Sequence, residues 1–257
     1  MKLRIHAAAV IALAITAASS LTAKAATVTD YQNGDIFLGI RALSSDTGQG
    51  NSTVYLLNLG NFSEFTNATA GASIQVANLL SDLSAIYGAD WYRSSLQWGI
   101  FGGLTDTGTD SWASLYASRT VSTSTPWSAL SGNPAETTLS NVNKVRNSFN
   151  GSLAYGSNLD ATTQTTTGEY YKQVTAVGND FGSGSKWTSI ETSLTNQLNL
   201  FAINNGDSTV DKVGTFGVSN QGVLTFTAVP EPSTYLLIGL AGTAALIFRR
   251  RLTKQNA

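Results

Sequence analysis

Stretches of alternating and continuous apolar residues divide the chain into short elements. Asp35–Leu43 and Thr53–Leu59 are apolar runs rich in β-formers. Gly48, Gly50, Asn51 and Ser52 between them predict a hairpin. Ile74, Ala77, Leu80, Leu83 and Tyr87 recur at helical spacing, and Gly88 stands in C-cap position, so 72–87 reads as a helix. Leu96–Gly102 and Trp112–Thr120 read as strands joined by a polar loop. Asn133-Pro134-Ala135-Glu136 has the order of an N-cap, a proline at N1 and a capping-box acid. A helix over 134–149 follows, with Leu139, Val142, Val145 and Phe149 on one face. Ala161–Thr167 reads as a Thr-rich loop and Tyr170–Val177 as a strand. Gln197–Ile203, Val213–Val218 and Val223–Ala228 are strands, the last two joined by a three-residue turn, Asn220-Gln221-Gly222. The expected fold is α+β: one β-rich domain, an antiparallel sheet with about two moderate helices.

The two ends have a different grammar. Lys2 and Arg4 precede an apolar run, Ile5 to Ala18, and Ala23-Lys24-Ala25 offers small residues at an A-x-A site. That is the layout of a secretory signal peptide over 1–25, with Ala23 and Ala25 marking the site and cleavage after Ala25 or within a residue or two of it. At the other end, Pro230-Glu231-Pro232 precedes an uncharged apolar run, 234–248, and then Arg249, Arg250 and Arg251. Fifteen helical residues span ~22 Å, short of the ~30 Å hydrocarbon core. Arginine stems reaching the interface lengthen the anchor. Their charge holds that flank in the cytoplasm, which puts residues 26–229 across the inner membrane. Each proline lacks an N–H and biases its predecessor to extended geometry. The motif therefore offers an extended backbone beside the bilayer.

Motif, apolar span and arginine stop in this order resemble the PEP-CTERM sorting signal of Gram-negative bacteria. The resemblance implies processing by a membrane-embedded exosortase, with transient anchoring in the inner membrane before the cell surface or extracellular matrix is reached. Domains then follow as 1–25 signal peptide, 26–229 ectodomain and 230–257 sorting signal. The run Gly34–Ala42 followed by Tyr55–Gly60 is similar to the start of uncharacterised PEP-CTERM ectodomains; this implies location only.

Composition narrows what the ectodomain can do. The only His and Met, His6 and Met1, lie in the signal peptide, and the chain has no Cys. Residues 26–229 therefore lack any Ser-His-Asp or Cys-His relay. They also lack the ligands of ordinary zinc and transition-metal sites. Eight Lys and Arg against 15 Asp and Glu give a formal charge of −7 there, with no basic cluster, which argues against nucleic acid. No cofactor is expected, and the domain reads as non-catalytic.

Some motifs point to chemistry. Asp46-Thr47-Gly48 and Asp106-Thr107-Gly108 match the aspartic-protease triplet, but neither follows an apolar strand and they lie too close to head two lobes; both read as Asp-led turns. Asp106–Asp110 has alternating oxygen ligands as calcium loops do, without the downstream Glu, and reads as a polar loop. Asn51, Asn61 and Asn67 begin glycosylation sequons, expected by chance in an Asn/Ser/Thr-rich chain. Glu64, Glu136, Glu169 and Glu191 are the domain's glutamates and read as solvated; a paired set would be needed for a carboxylate-dependent hydrolase. Trp98 and Trp112 read as core. Trp91, Trp127 and Trp187 have polar neighbours, and exposed Trp or Tyr rings would make the domain an exopolysaccharide-binding module.

Overall fold

The computed structural model describes residues 31–105, 114–123, 125–130, 132–149, 161–176, 180–184, 186–206 and 208–229. Among them a ten-stranded antiparallel sheet forms from β1 (Asp35–Ala42), β2 (Thr53–Asn61), β3 (Ser73–Asn78), β4 (Leu96–Leu104), β5 (Ser114–Thr120), β6 (Ala161–Thr165), β7 (Thr192–Ser193), β8 (Leu198–Asn204), β9 (Thr209–Val218) and β10 (Val223–Ala228). Its order is β3-β10-β9-β8-β5-β4-β1-β2-β6, with β7 beside β4. The helices are α1 (Ser63–Thr66), α2 (Leu80–Tyr87), α3 (Asn133–Asn147) and α4 (Glu169–Val174).

The sheet is buried on both faces, which explains why its central strands are continuous apolar runs rather than alternating ones. In β1, Ile36, Leu38 and Ile40 join a core with Tyr55, Leu57, Trp98, Leu200, Phe216 and Phe226. Phe37 points the other way, into a second core with Val54, Leu56, Phe101, Val142, Tyr170 and Trp187. The first core is closed by α1, α2 and the sheet itself, the second by α3, α4 and the 180–191 region.

The expected α+β antiparallel fold holds, as do the β1–β2 hairpin and the last hairpin. In the latter, the Ser219 N–H donates to the Val223 carbonyl (3.0 Å) and Gly222 sits at φ +77. That closes three residues with glycine in the left-handed position.

Four expectations are corrected. The 72–87 helix is β3 followed by α2: Ile74 and Val76 alternate with exposed Ser73 and Gln75, and β10 pairs with this edge. Ala161–Thr167 is no loop, since Ala161–Thr165 pairs with β2, where β-branched threonines suit an edge strand. Tyr170–Val177 is not a strand; Glu169–Val174 is helical, with Tyr170 and Val174 buried one turn apart. At α3 the cap is Gly132 (φ +58), with no side-chain cap bond, so Asn133 and Glu136 form no capping box. Among the described residues no helix is long and apolar enough to cross a membrane. The expected segments 5–18 and 234–248 lie outside them.

Because neighbouring strands are antiparallel, their ends gather at two poles. One holds Asn33 ahead of β1, α1 after β2, Thr105 after β4, the β8–β9 connection and the end of β10. Asn33 and Thr105 tie β1 to β4 there through two hydrogen bonds, 2.9 and 3.0 Å. The other pole holds residues 43–52, 88–95, 194–197 and 219–222.

Candidate functional site

Two places carry chemistry: the base of the C-terminal tail and a buried charge cluster. At the first, β10 lies between β9 and β3, and Phe226 and Leu224 are fully buried. The ladder continues one residue past the strand, with the Val229 N–H donating to the Val213 carbonyl (3.0 Å). Ala228 is held from the other side, donating to Ala72 (3.0 Å) and accepting from Gly71 (3.2 Å). Pro230 follows at once. The paired part of the described chain thus reaches the residue before the motif. Pro230, Glu231, Pro232, Arg249, Arg250 and Arg251 lie outside the described residues, as do Ala23 and Ala25.

The second place is built around Glu191. β4 pairs with β5 only from Phe101 onward; before that it pairs with β7. Ser118 sits where the two ladders divide. Its hydroxyl accepts from the Ile100 N–H and donates to the Ile190 carbonyl, both at 2.7 Å. Gly99 leaves room for the incoming segment, since a Cβ there would lie 3.2 Å from Ile190. This wedge delivers Glu191 to Arg41 of β1. The Arg41 Nε and Nη2 donate to Glu191 Oε2 at 2.9 and 2.6 Å, and Tyr170 Oη donates to Oε1 at 2.9 Å. The Glu191 side chain is only 3% exposed. Burial raises its pKa, and the Arg41 guanidinium and the Tyr170 hydroxyl oppose that rise. Burial also works against charge on Arg41, but Glu191 more than offsets it and the pKa of Arg41 is raised. Tyr170 lies flat over Gly39, whose missing Cβ would stand 2.3 Å from the ring.

Asp180 completes the cluster. Its Oδ2 accepts the Ile190 N–H at 2.8 Å. Burial pushes its pKa up to about 7, against that hydrogen bond, with the Glu191 charge adding to the rise. Phe181 beside it has φ +55, a left-handed geometry that is unusual for a bulky residue. Trp187 Nε1 and Thr138 Oγ1 are buried nearby on the same face with no hydrogen-bond partner among the described residues.

The sequence motifs fare unevenly. Glu191 is not solvated as expected, whereas Glu64 and Glu136 are exposed and Glu169 pairs with Lys172 at 2.9 Å. The sequence reading missed Arg41, Tyr170 and Asp180. Asp46 does lead a turn, accepting from the Gly48 N–H (2.6 Å), Arg93 Nε (2.9 Å) and Ser95 Oγ (2.8 Å). Slight burial pushes its pKa up, but these donors outweigh that and the pKa is lowered. Asp106–Asp110 and Trp112 lie outside the described residues. Trp91, Trp127 and Trp187, the candidates for sugar-stacking rings, are 3%, 3% and 0% exposed; Trp98 is core as expected. Their indole faces are spent on packing, so none is free to stack on a sugar. No group of three His, Cys, Asp or Glu able to hold a metal occurs among the described residues.

No curated protein and no solved structure matches the chain. The model of the PEP-CTERM protein-sorting motif matches residues 228–251. The match begins on the last residue of β10 and ends on the last of the three arginines, so the chain is a PEP-CTERM sorting domain-containing protein, exported and sorted through an exosortase.

Proposed function

We propose that this is a non-catalytic envelope or matrix protein. The tail holds it in the inner membrane until an exosortase processes the segment around Pro230, Glu231 and Pro232, and the folded domain then passes to the cell surface or extracellular matrix. The observation that carries this reading is the coincidence of the sorting match with the end of the sheet. The core residues among those described all precede Val229, so a cut beyond it spares them. The buried acids support the non-catalytic part. Glu191 is committed to Arg41 and Tyr170, Asp82 to Tyr55 (2.8 Å) and Asp35 to Asn58 (3.0 Å). A carboxyl already held by internal donors is not presented to a substrate.

Deleting Arg249–Arg251, or replacing Pro230-Glu231-Pro232 by three alanines, should leave full-length precursor in the inner membrane. Fractionation and blotting read the outcome. Normal processing and release of both variants would sink the proposal.

A further inference from the structure

We infer that, before processing, the domain stands on the bilayer on one defined pole, with the β8–β9 hairpin against the lipid headgroups. This rests on the anchoring role of the tail proposed above. The argument is one of lengths. Val229 is fixed in the ladder beside Val213. The apolar run begins at Thr234, so the tether is residues 230–233, five Cα steps from Val229. Fully extended, that reaches at most ~17 Å.

β9 overhangs the end of β10 on the same pole. Thr209 lies four residues beyond Val213 along β9, and those four steps project ~13 Å past the anchor point. The hairpin turn lies further out still. Leaving along the direction of β10, the tether exceeds the overhang by only ~4 Å. A headgroup layer is itself ~5–7 Å deep on each side of the hydrocarbon. The tip of the hairpin cannot stay clear of it. Pro230 and Pro232 stiffen the tether in extended geometry, which resists folding the domain sideways.

The pole suits this contact. Its exposed residues among those described include Asn33, Thr66, Asn67, Gly206, Ser208 and Thr209, all small or neutral; Asp207, between Gly206 and Ser208 in the chain, lies outside them. Glu64, Asp211 and Lys212 are the exposed charges near it among the described residues. β9 reaches the opposite pole at Val218, nine residues from Thr209 and ~30 Å farther from the bilayer, with Asn220 in the turn beyond.

The chain has no cysteine, so single reporters are clean. A fluorophore on Thr209→Cys or Asn33→Cys, and on Asn220→Cys or Ser45→Cys at the far pole, is read in the tailed chain. The vesicles contain phosphatidylethanolamine, phosphatidylglycerol and a headgroup-nitroxide lipid. The near pair should lose most of its emission and the far pair almost none. A flexible Gly-Ser spacer of twelve residues between Val229 and Pro230 should remove most of that difference, while flotation with the vesicles is unchanged. Equal quenching at both poles in chains that float overturns the orientation and leaves the anchor standing. A spacer without effect overturns the tether argument. Chains that fail to float overturn the anchor, and the orientation with it.

Discussion

The two faces of the sheet are closed by different means. The first core is mainly apolar contact between strands, and its polar side chains are matched locally. Tyr87 Oη donates toward the Ile40 and Thr53 carbonyls (2.9 and 3.1 Å), and Tyr55 donates to Asp82. The second core is closed by α3, α4 and the 180–191 region, and it contains a buried ion pair, a buried acid and two unpartnered polar atoms. Burying charge costs several kcal/mol per ion before attraction and hydrogen bonds offset it. The first face is therefore the stable floor of the domain. The second is locked by a few polar contacts and should open first.

Removing the lock gives the largest expected effect. Glu191→Ala leaves the Arg41 guanidinium buried and unpaired, which should cost about 3–5 kcal/mol. Asp46→Ala breaks the partly buried Arg93 pair at the rim and should cost only about 1–2 kcal/mol. Urea unfolding of residues 26–229 compares them; equal losses would erase the distinction between lock and rim.

Overpacking tests the faces one at a time. Gly39→Ala drives a methyl into the Tyr170 ring, and Gly214→Ala drives one into Phe226 on the other face, each at 2.3 Å. Each should cost about 1–3 kcal/mol. Hydrogen exchange should quicken in α3 and α4 for Gly39→Ala only. If both variants loosen the same amides, the faces form one cooperative unit and the comparison fails.

The gentlest probe is pH. Asp180 in the folded domain keeps its proton up to about 7, whereas the unfolded chain releases it near the ordinary aspartate value of 3.8. The folded state thus binds the extra proton between those values. Stability is fullest below about 4, falls as pH rises toward 7, and is level above, with a slope of at most about 1.4 kcal/mol per pH unit. Asp180→Asn keeps an oxygen acceptor for the Ile190 N–H and should flatten this part of the profile. An unchanged slope would remove Asp180 from the account.

What the sequence reveals depends on how local the cause is. β1, β2 and the last hairpin are legible because apolar runs and turn residues adjoin. Residues 72–87 mislead because Ile74 and Leu80 continue one helical stripe across a strand–helix boundary that β10, about 150 residues later, enforces. The 161–167 and 170–177 segments are short, and their neighbours in space decide them. The Arg41–Glu191 pair spans 150 residues, and Glu191 sits among Ser and Thr that look like any surface loop. One signal was available: Arg41 is a charge on the same side of β1 as Phe37 and Gly39, in a strand apolar on both sides, and such a charge demands a buried partner. The sorting tail was legible because its signal is linear: motif, span and arginines follow one another.

The interior placement of β10 also sets a clock. The last of the described strands to be made is the one that β3, α1 and β9 wait for, and its ring contacts with Phe65 and Phe216, at 5.1 and 4.8 Å, form only then. Contacts of such long sequence separation form late because the chain between them must first be closed into a loop. The domain therefore stays incomplete until residue 228 is available, which is also the residue where the sorting match begins.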